Sequence, residues 1–240
     1  MDFNVIKKSH IIHPSWYSFF ETMDCDTYRN IQYVLSQPGI VPECKHTLVF
    51  AKRDLTSIKS IIVIPEPYCN KKRISDRPLE AAGITSWMDN HIPTTLKNIV
   101  KLIYYTEKNE IKSFKEIQEE INNNKFFIAP PSLLFQKWEW EGVLLLYNVF
   151  TTEQNQKGVH KPYWENFSNQ LITFIADNKK HTHWYLWGKD PQKFKKKLRG
   201  HCVYENANPE KSNCFHINDS LRETRHIINW TGVPPNKKNT

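Results

Sequence analysis

The sequence predicts a single α/β domain over residues 1–233, built on a central, mostly parallel four-stranded sheet flanked by helices, with a polar tail over 234–240. Three observations predict it. Short apolar runs of strand length alternate with longer stretches of helical period. The runs are apolar on both faces, as strands covered by helices on either side must be. The chain has 240 residues, 39% hydrophobic and 24% charged, which suits one soluble α/β domain with a sizeable core.

The elements follow in order. Ser60–Ile64 (SIIVI) is a β-branched run stopped by Pro65 and Pro67, as for a buried parallel strand that ends in a loop. Thr94–Tyr105 places Leu96, Ile99, Val100, Leu102 and Ile103 at helical spacing, and Phe114–Asn123 reads as a short amphipathic helix. Gly142–Phe150 (GVLLLYNVF) is a second buried strand entering a loop. Trp164–Asp177 is helical, with Phe167, Leu171, Ile172, Phe174 and Ile175 inward. His183–Trp187 (HWYLW), closed by Gly188, is a third strand and His201–Tyr204 a fourth; Ile217–Ile228 is expected to form a closing helix. Ligands of such sheets sit beyond the carboxyl ends of the strands. Attention therefore falls on the loops after Ile64, Phe150, Trp187 and Tyr204.

Composition narrows the partners. A formal net charge of +8 and 13% aromatic residues, eight of them Trp, point to an acidic partner, nucleic acid before a membrane surface. Cys25, Cys44, Cys69, Cys202 and Cys214 show neither CxxC nor Cys/His ligand spacing, so neither a zinc site nor a disulfide framework is expected. The opening MDFNVIKKSH lacks the apolar core of a signal peptide, and no apolar run approaches the roughly 18 residues of a membrane span. A cytoplasmic, monomeric protein with no membrane partner is expected.

The four loops also carry a likeness. Ile58–Cys69 (IKSIIVIPEPYC) is similar to a strand followed by Gly-Gln-Asp-Pro-Tyr-His. His13-Pro14-Ser15-Trp16, Thr95-Leu96-Lys97-Asn98-Ile99, Trp138 with Gly142–Leu146, His160 with Trp164–Phe167, Leu186-Trp187-Gly188 and Asn229-Trp230 follow in the same order as the remaining landmarks of one family. The chain resembles the family-1 uracil-DNA glycosylases from residue 13 to residue 230. That resemblance implies an α/β glycosylase fold, DNA as partner, and neither metal nor cofactor.

It also implies a rewritten site. Glu66 stands where the family has the Asp that positions or activates water. Between two prolines it is either a stiffly held catalytic carboxylate or a polar loop residue. Pro65 replaces a Gln whose N–H meets a uracil carbonyl, Tyr68 keeps the ring that packs against uracil C5, and Cys69 replaces a His. Tyr147 takes the place of the Asn that reads the uracil edge, with Asn148 one residue later; either could point into the pocket. Asn208 replaces the His that donates to the departing base, and its amide can still donate. Ser212 replaces an intercalating Leu, while nearby Phe215 is either a substitute wedge or core. Trp87 is either a base-stacking ring or a core tryptophan. Lys193, Lys195, Lys196, Lys197 and Arg199 form a basic run, either a solvated helix face or a phosphate-binding surface, and Lys211 and Ser212 join them as DNA-contact candidates. The resemblance, with these departures from it, implies a glycosylase that excises a modified pyrimidine, for instance a hypermodified phage base in anti-phage defence. The alternatives are an inactive homologue that binds DNA or a replication partner, and slower excision of ordinary uracil.

Overall fold

The apolar runs assemble into one sheet in the computed structural model, which describes residues 10–75, 77–212 and 214–234. Its strands are β1 (Ser60–Ile64), β2 (Val143–Tyr147), β3 (His183–Trp187) and β4 (Cys202–Asn206). They lie in the order β2-β1-β3-β4, and every pairing is parallel. The sheet confirms the expected α/β class. A two-residue antiparallel ribbon, Ile40–Val41 with Thr152–Glu153, lies apart from it.

Parity assigns the faces. Ile61, Val63, Leu144, Leu146, Trp184 and Leu186 join one core, against helices α1 (Cys25–Ser36) and α5 (Lys161–Asn178). Ile62, Ile64, Val143, Leu145, Tyr185 and Trp187 join a second core, against α2 (Thr94–Lys108) and α4 (Pro131–Trp140). Helix α3 (Phe114–Asn122) adds Ile117 to this second core. Burying each large aliphatic side chain contributes roughly 1.5–3 kcal/mol, which is why β1, buried at all five positions and apolar at four, sits inside the sheet.

Two helices of ten residues or more escaped the sequence reading. In α1, largely polar residues hide a three-residue apolar stripe of Tyr28, Ile31 and Val34; the usable signal is Asp24, whose carboxylate accepts from the N–H groups of Asp26 and Thr27. Helix α4 opens on Pro131, which suits a first helical turn.

The expected closing helix over Ile217–Ile228 is not formed. That segment is a series of turns with one short 3-10 stretch, Arg222–Thr224. Local side chains capture its backbone instead: Asn218 donates to Phe215 O and accepts from Ser220 N, the competition by which Asn and Ser disfavour helices. Residues 1–9 and, of the expected polar tail over 234–240, residues 235–240 lie outside the described residues. Among the described residues no helix is long and apolar enough to cross a membrane.

Candidate active site

The carboxyl ends of the strands surround a cavity of about 680 Å³. That is within the roughly 300–1,000 Å³ of ligand pockets, at the edge where parallel sheets bind ligands. Pro65–Tyr68 after β1, Tyr147 of β2, Gly188–Asp190 after β3 and Ala207–Ser212 after β4 line it, with Leu79, Thr95, Lys157 and Gln192.

Glu66 owes its place to its neighbours. Pro65 and Pro67 have no N–H with which to extend the ladder, so the chain leaves the sheet after Ile64 and carries the half-buried Glu66 to the cavity. Its Oε2 accepts the Gly158 N–H at 2.7 Å. A carboxylate has about four acceptor positions, so most remain for a water or a cationic sugar.

At the base-recognition end, strand parity decides between the two candidates. Tyr147 shares a side of β2 with Val143 and Leu145 and lines the cavity. Asn148 does not, contrary to the alternative that a bulge turns it inward. Its N–H donates to Ile64 O at 2.7 Å, continuing the regular ladder, and its carbonyl accepts from Ser168 Oγ. Its side chain lines a separate 140 Å³ cavity with Lys161, Glu165 and Asn169. Tyr68 also lines the main cavity and donates from its hydroxyl to Leu79 O at 3.2 Å. Burial pushes the Tyr68 and Tyr147 hydroxyls above the ordinary phenol range, so both are neutral at physiological pH.

Leu79 was missed from sequence. It lies at φ +71°, a left-handed conformation costing about 1–3 kcal/mol in a non-glycine residue. Its loop is fixed by Arg77, which donates to Glu139 at 2.8 Å and to Glu80 at 3.3 Å, all three largely buried. No one-letter pattern marks a leucine for such a backbone.

Asn208 faces the same cavity in a loop tied down at several points. Its Oδ1 accepts Glu210 N–H at 2.9 Å, which assigns the amide orientation and leaves the Nδ2 hydrogens as donors. Its carbonyl accepts from the N–H groups of Lys211 and Ser212 at 3.0 and 3.1 Å. From α2, the buried Asn98 donates to Pro209 O at 2.7 Å and Ser212 O at 3.1 Å. Glu210 is ion-paired to Lys157.

Gly188 permits the loops to meet. At φ +112° a Cβ there would come within 3.0 Å of Pro65 Cγ and 3.5 Å of Asn208 Cβ. Gly188→Ala is therefore expected to lower stability by about 1–3 kcal/mol from backbone strain, before any displacement of Pro65 is counted. Urea unfolding of the native and variant proteins checks this.

Other candidates lie elsewhere. Trp87 is not at the cavity. It is 3% exposed within the second core, and its Nε1 donates to Ala129 O at 2.8 Å; an indole with an internal partner packs as core. Phe215 is likewise buried, edge-on to Trp187 at 4.9 Å between centroids, which removes it as a wedge. The basic run starts beyond the cavity rim in a 3-10 turn (Lys193–Lys197). Lys193 pairs with Asp190 at 2.8 Å, Lys195 with Glu205, and Lys197 donates to Thr173 at 3.3 Å, while Lys196 and Arg199 are exposed. Of the DNA-contact candidates, Lys211 and Ser212 line the cavity itself. The cavity also gathers Thr95, Lys157, Lys189, Asp190, Gln192 and Glu210, none of them a site candidate from sequence. The hydrogen bond from Lys193, with a second from Lys161, holds the Asp190 carboxyl below the usual carboxylate range.

With this geometry in hand, known proteins can be compared. No protein-family model matches the chain. In sequence it is 26% identical over 208 residues, 81% of each chain, to a uracil-DNA glycosylase of Mycoplasmopsis pulmonis (strain UAB CTIP). In structure it is similar to the wild-type UNG of Nitratifractor salsuginis, with a TM-score of 0.70 and 15% identity over 94% of this chain and 96% of that one. It is also similar to the mimivirus uracil-DNA glycosylase, with a TM-score of 0.66 and 22% identity over 92% and 84%.

Proposed function

The chain belongs to the uracil-DNA glycosylase superfamily, and from that premise we propose that it is a DNA glycosylase that excises a modified pyrimidine rather than ordinary uracil. The observation that carries the reading is that Glu66, Asn208 and Tyr147, from three separate segments, line one cavity. A nucleotide extruded from DNA would place its base there, as enzymes acting on bases require. As the N-glycosidic bond breaks, the Glu66 carboxylate stabilises the cationic sugar and polarises a water, whose oxygen bonds to C1′ while its proton passes by way of Glu66 to solvent, from which the departing base anion is protonated. The bonding electrons leave with the base, and an Asn208 Nδ2 hydrogen supports its oxygen. An abasic site remains in the DNA. Lys211 and Ser212, with the flanking basic run, hold phosphates.

The changed specificity rests on Tyr147. A single hydroxyl cannot replace the paired donor and acceptor of an amide reading a uracil edge, a bidentate contact worth about 1–3 kcal/mol. The cavity is also lined by Lys189, Asp190 and Gln192, polar groups suited to a substituent on the base. Hydroxymethylated and glucosylated pyrimidines of phage DNA are such substrates, which would give the protein a defensive role inside the cell. Tyr147→Asn is expected to raise uracil release relative to the best native substrate by about 5- to 150-fold, that same contact energy as a rate ratio. Competition between two labelled oligonucleotides measures the ratio. A native protein that prefers uracil over every modified base would return the reading to ordinary uracil excision.

A further inference from the structure

One exposed turn reaches both halves of the candidate catalytic pair, Glu66 directly and Asn208 through Glu210. Gly158 N–H holds Glu66 Oε2 at 2.7 Å, and Lys157, the preceding residue, is ion-paired to Glu210. Glu210 in turn donates its N–H to Asn208 Oδ1 at 2.9 Å. The turn is anchored to the body of the protein: Asn155 N–H donates to Cys69 O at 2.9 Å, Thr152 Oγ1 donates to Gln156 O, and Lys161 N–H at the start of α5 donates to Gly158 O at 3.1 Å. Asn155 and Gly158, at φ +61° and +76°, give it a shape that few sequences adopt.

We infer that the Asn155–Gly158 turn is a clasp setting the spacing of Glu66 and Asn208, and that Lys157 is its positioning residue. Lys157 touches neither group. It acts through Glu210, holding the Asn208 loop toward the turn that already holds Glu66. Without the lysine, Glu210 is an unpaired carboxylate lining the same cavity as Glu66, and like charges push the loop outward. Displacement of a reacting group by about an ångström costs on the order of 100-fold in rate. The activity readout rests on the glycosylase reading above; the structural one does not.

The test compares native protein, Lys157→Met, Lys157→Arg, Glu210→Gln and the Lys157→Met/Glu210→Gln double variant. Amide hydrogen exchange is followed at Lys211 and Ser212, whose N–H groups bond Asn208 O. Both amides are expected to exchange at least about tenfold faster in Lys157→Met and at native rates in Lys157→Arg. On an oligonucleotide bearing the base that the native protein releases fastest, Lys157→Met should slow single-turnover release by about 10- to 100-fold with KM unchanged. Arg should restore it, and the double variant should be no worse than Lys157→Met, since both substitutions remove one contact. Native exchange rates at Lys211 and Ser212 in Lys157→Met overturn the clasp. So does a raised KM with an unchanged rate, which makes Lys157 a phosphate contact. If the native protein releases no base, the glycosylase reading fails and the exchange rates alone decide the clasp.

Discussion

Glu66→Gln is expected to slow base release by about 10²- to 10⁴-fold, the usual worth of a positioned acid–base group, while leaving DNA affinity nearly unchanged. The substitution conserves shape. Glutamine keeps an oxygen to accept the Gly158 N–H that the carboxylate now accepts at 2.7 Å, so the loop between Pro65 and Pro67 has no reason to move. What disappears is the negative charge, which alone can stabilise a cationic sugar and polarise water beside it. Single-turnover release and a separate binding isotherm distinguish the two effects. Release within a few-fold of native would reduce Glu66 to a polar loop residue.

Trp87→Ala should instead act on stability, lowering it by about 3–5 kcal/mol, the range for removing a large buried aromatic side chain. In a protein of 240 residues that corresponds to a fall in Tm of roughly 6–20 °C. The ring is 3% exposed and its indole N–H is satisfied by Ala129, so a flipped base could reach it only by opening the second core. Thermal unfolding with and without a DNA oligonucleotide checks this. An unchanged Tm with a loss of base release would restore Trp87 as a stacking residue.

What the sequence made legible depends on the range of the interactions involved. The strands were legible because burial on two faces leaves a continuous apolar run, as in Ser60–Ile64 and His183–Trp187, whose bounds match the structure residue for residue. The resemblance to uracil-DNA glycosylases nominated Glu66, Tyr68, Tyr147 and Asn208, and the parallel sheet brings all four to one cavity. The choice between Tyr147 and Asn148 was not legible. It turns on whether β2 runs regularly to its last residue, and that depends on the Asn148–Ile64 hydrogen bond to a strand more than 80 residues away in sequence. Leu79, Lys157 and Glu210 were illegible for the same reason: each takes its place at the cavity through partners remote in the chain. The failed closing helix shows the reverse error, in which apolar spacing was given weight over the backbone-capturing side chains of Asn218 and Ser220.

The central claim is that this cavity releases a modified pyrimidine from DNA by hydrolysis. It is tested most directly by incubating native protein with oligonucleotides carrying uracil, thymine, cytosine, 5-hydroxymethyluracil, 5-hydroxymethylcytosine or glucosylated 5-hydroxymethylcytosine. The free base is identified by mass spectrometry, and abasic sites are scored by alkaline cleavage. The account predicts one modified base released together with an equal amount of abasic sites, and uracil released far more slowly. DNA bound with every base left in place would contradict it and make the protein an inactive, DNA-binding relative of the uracil-DNA glycosylases.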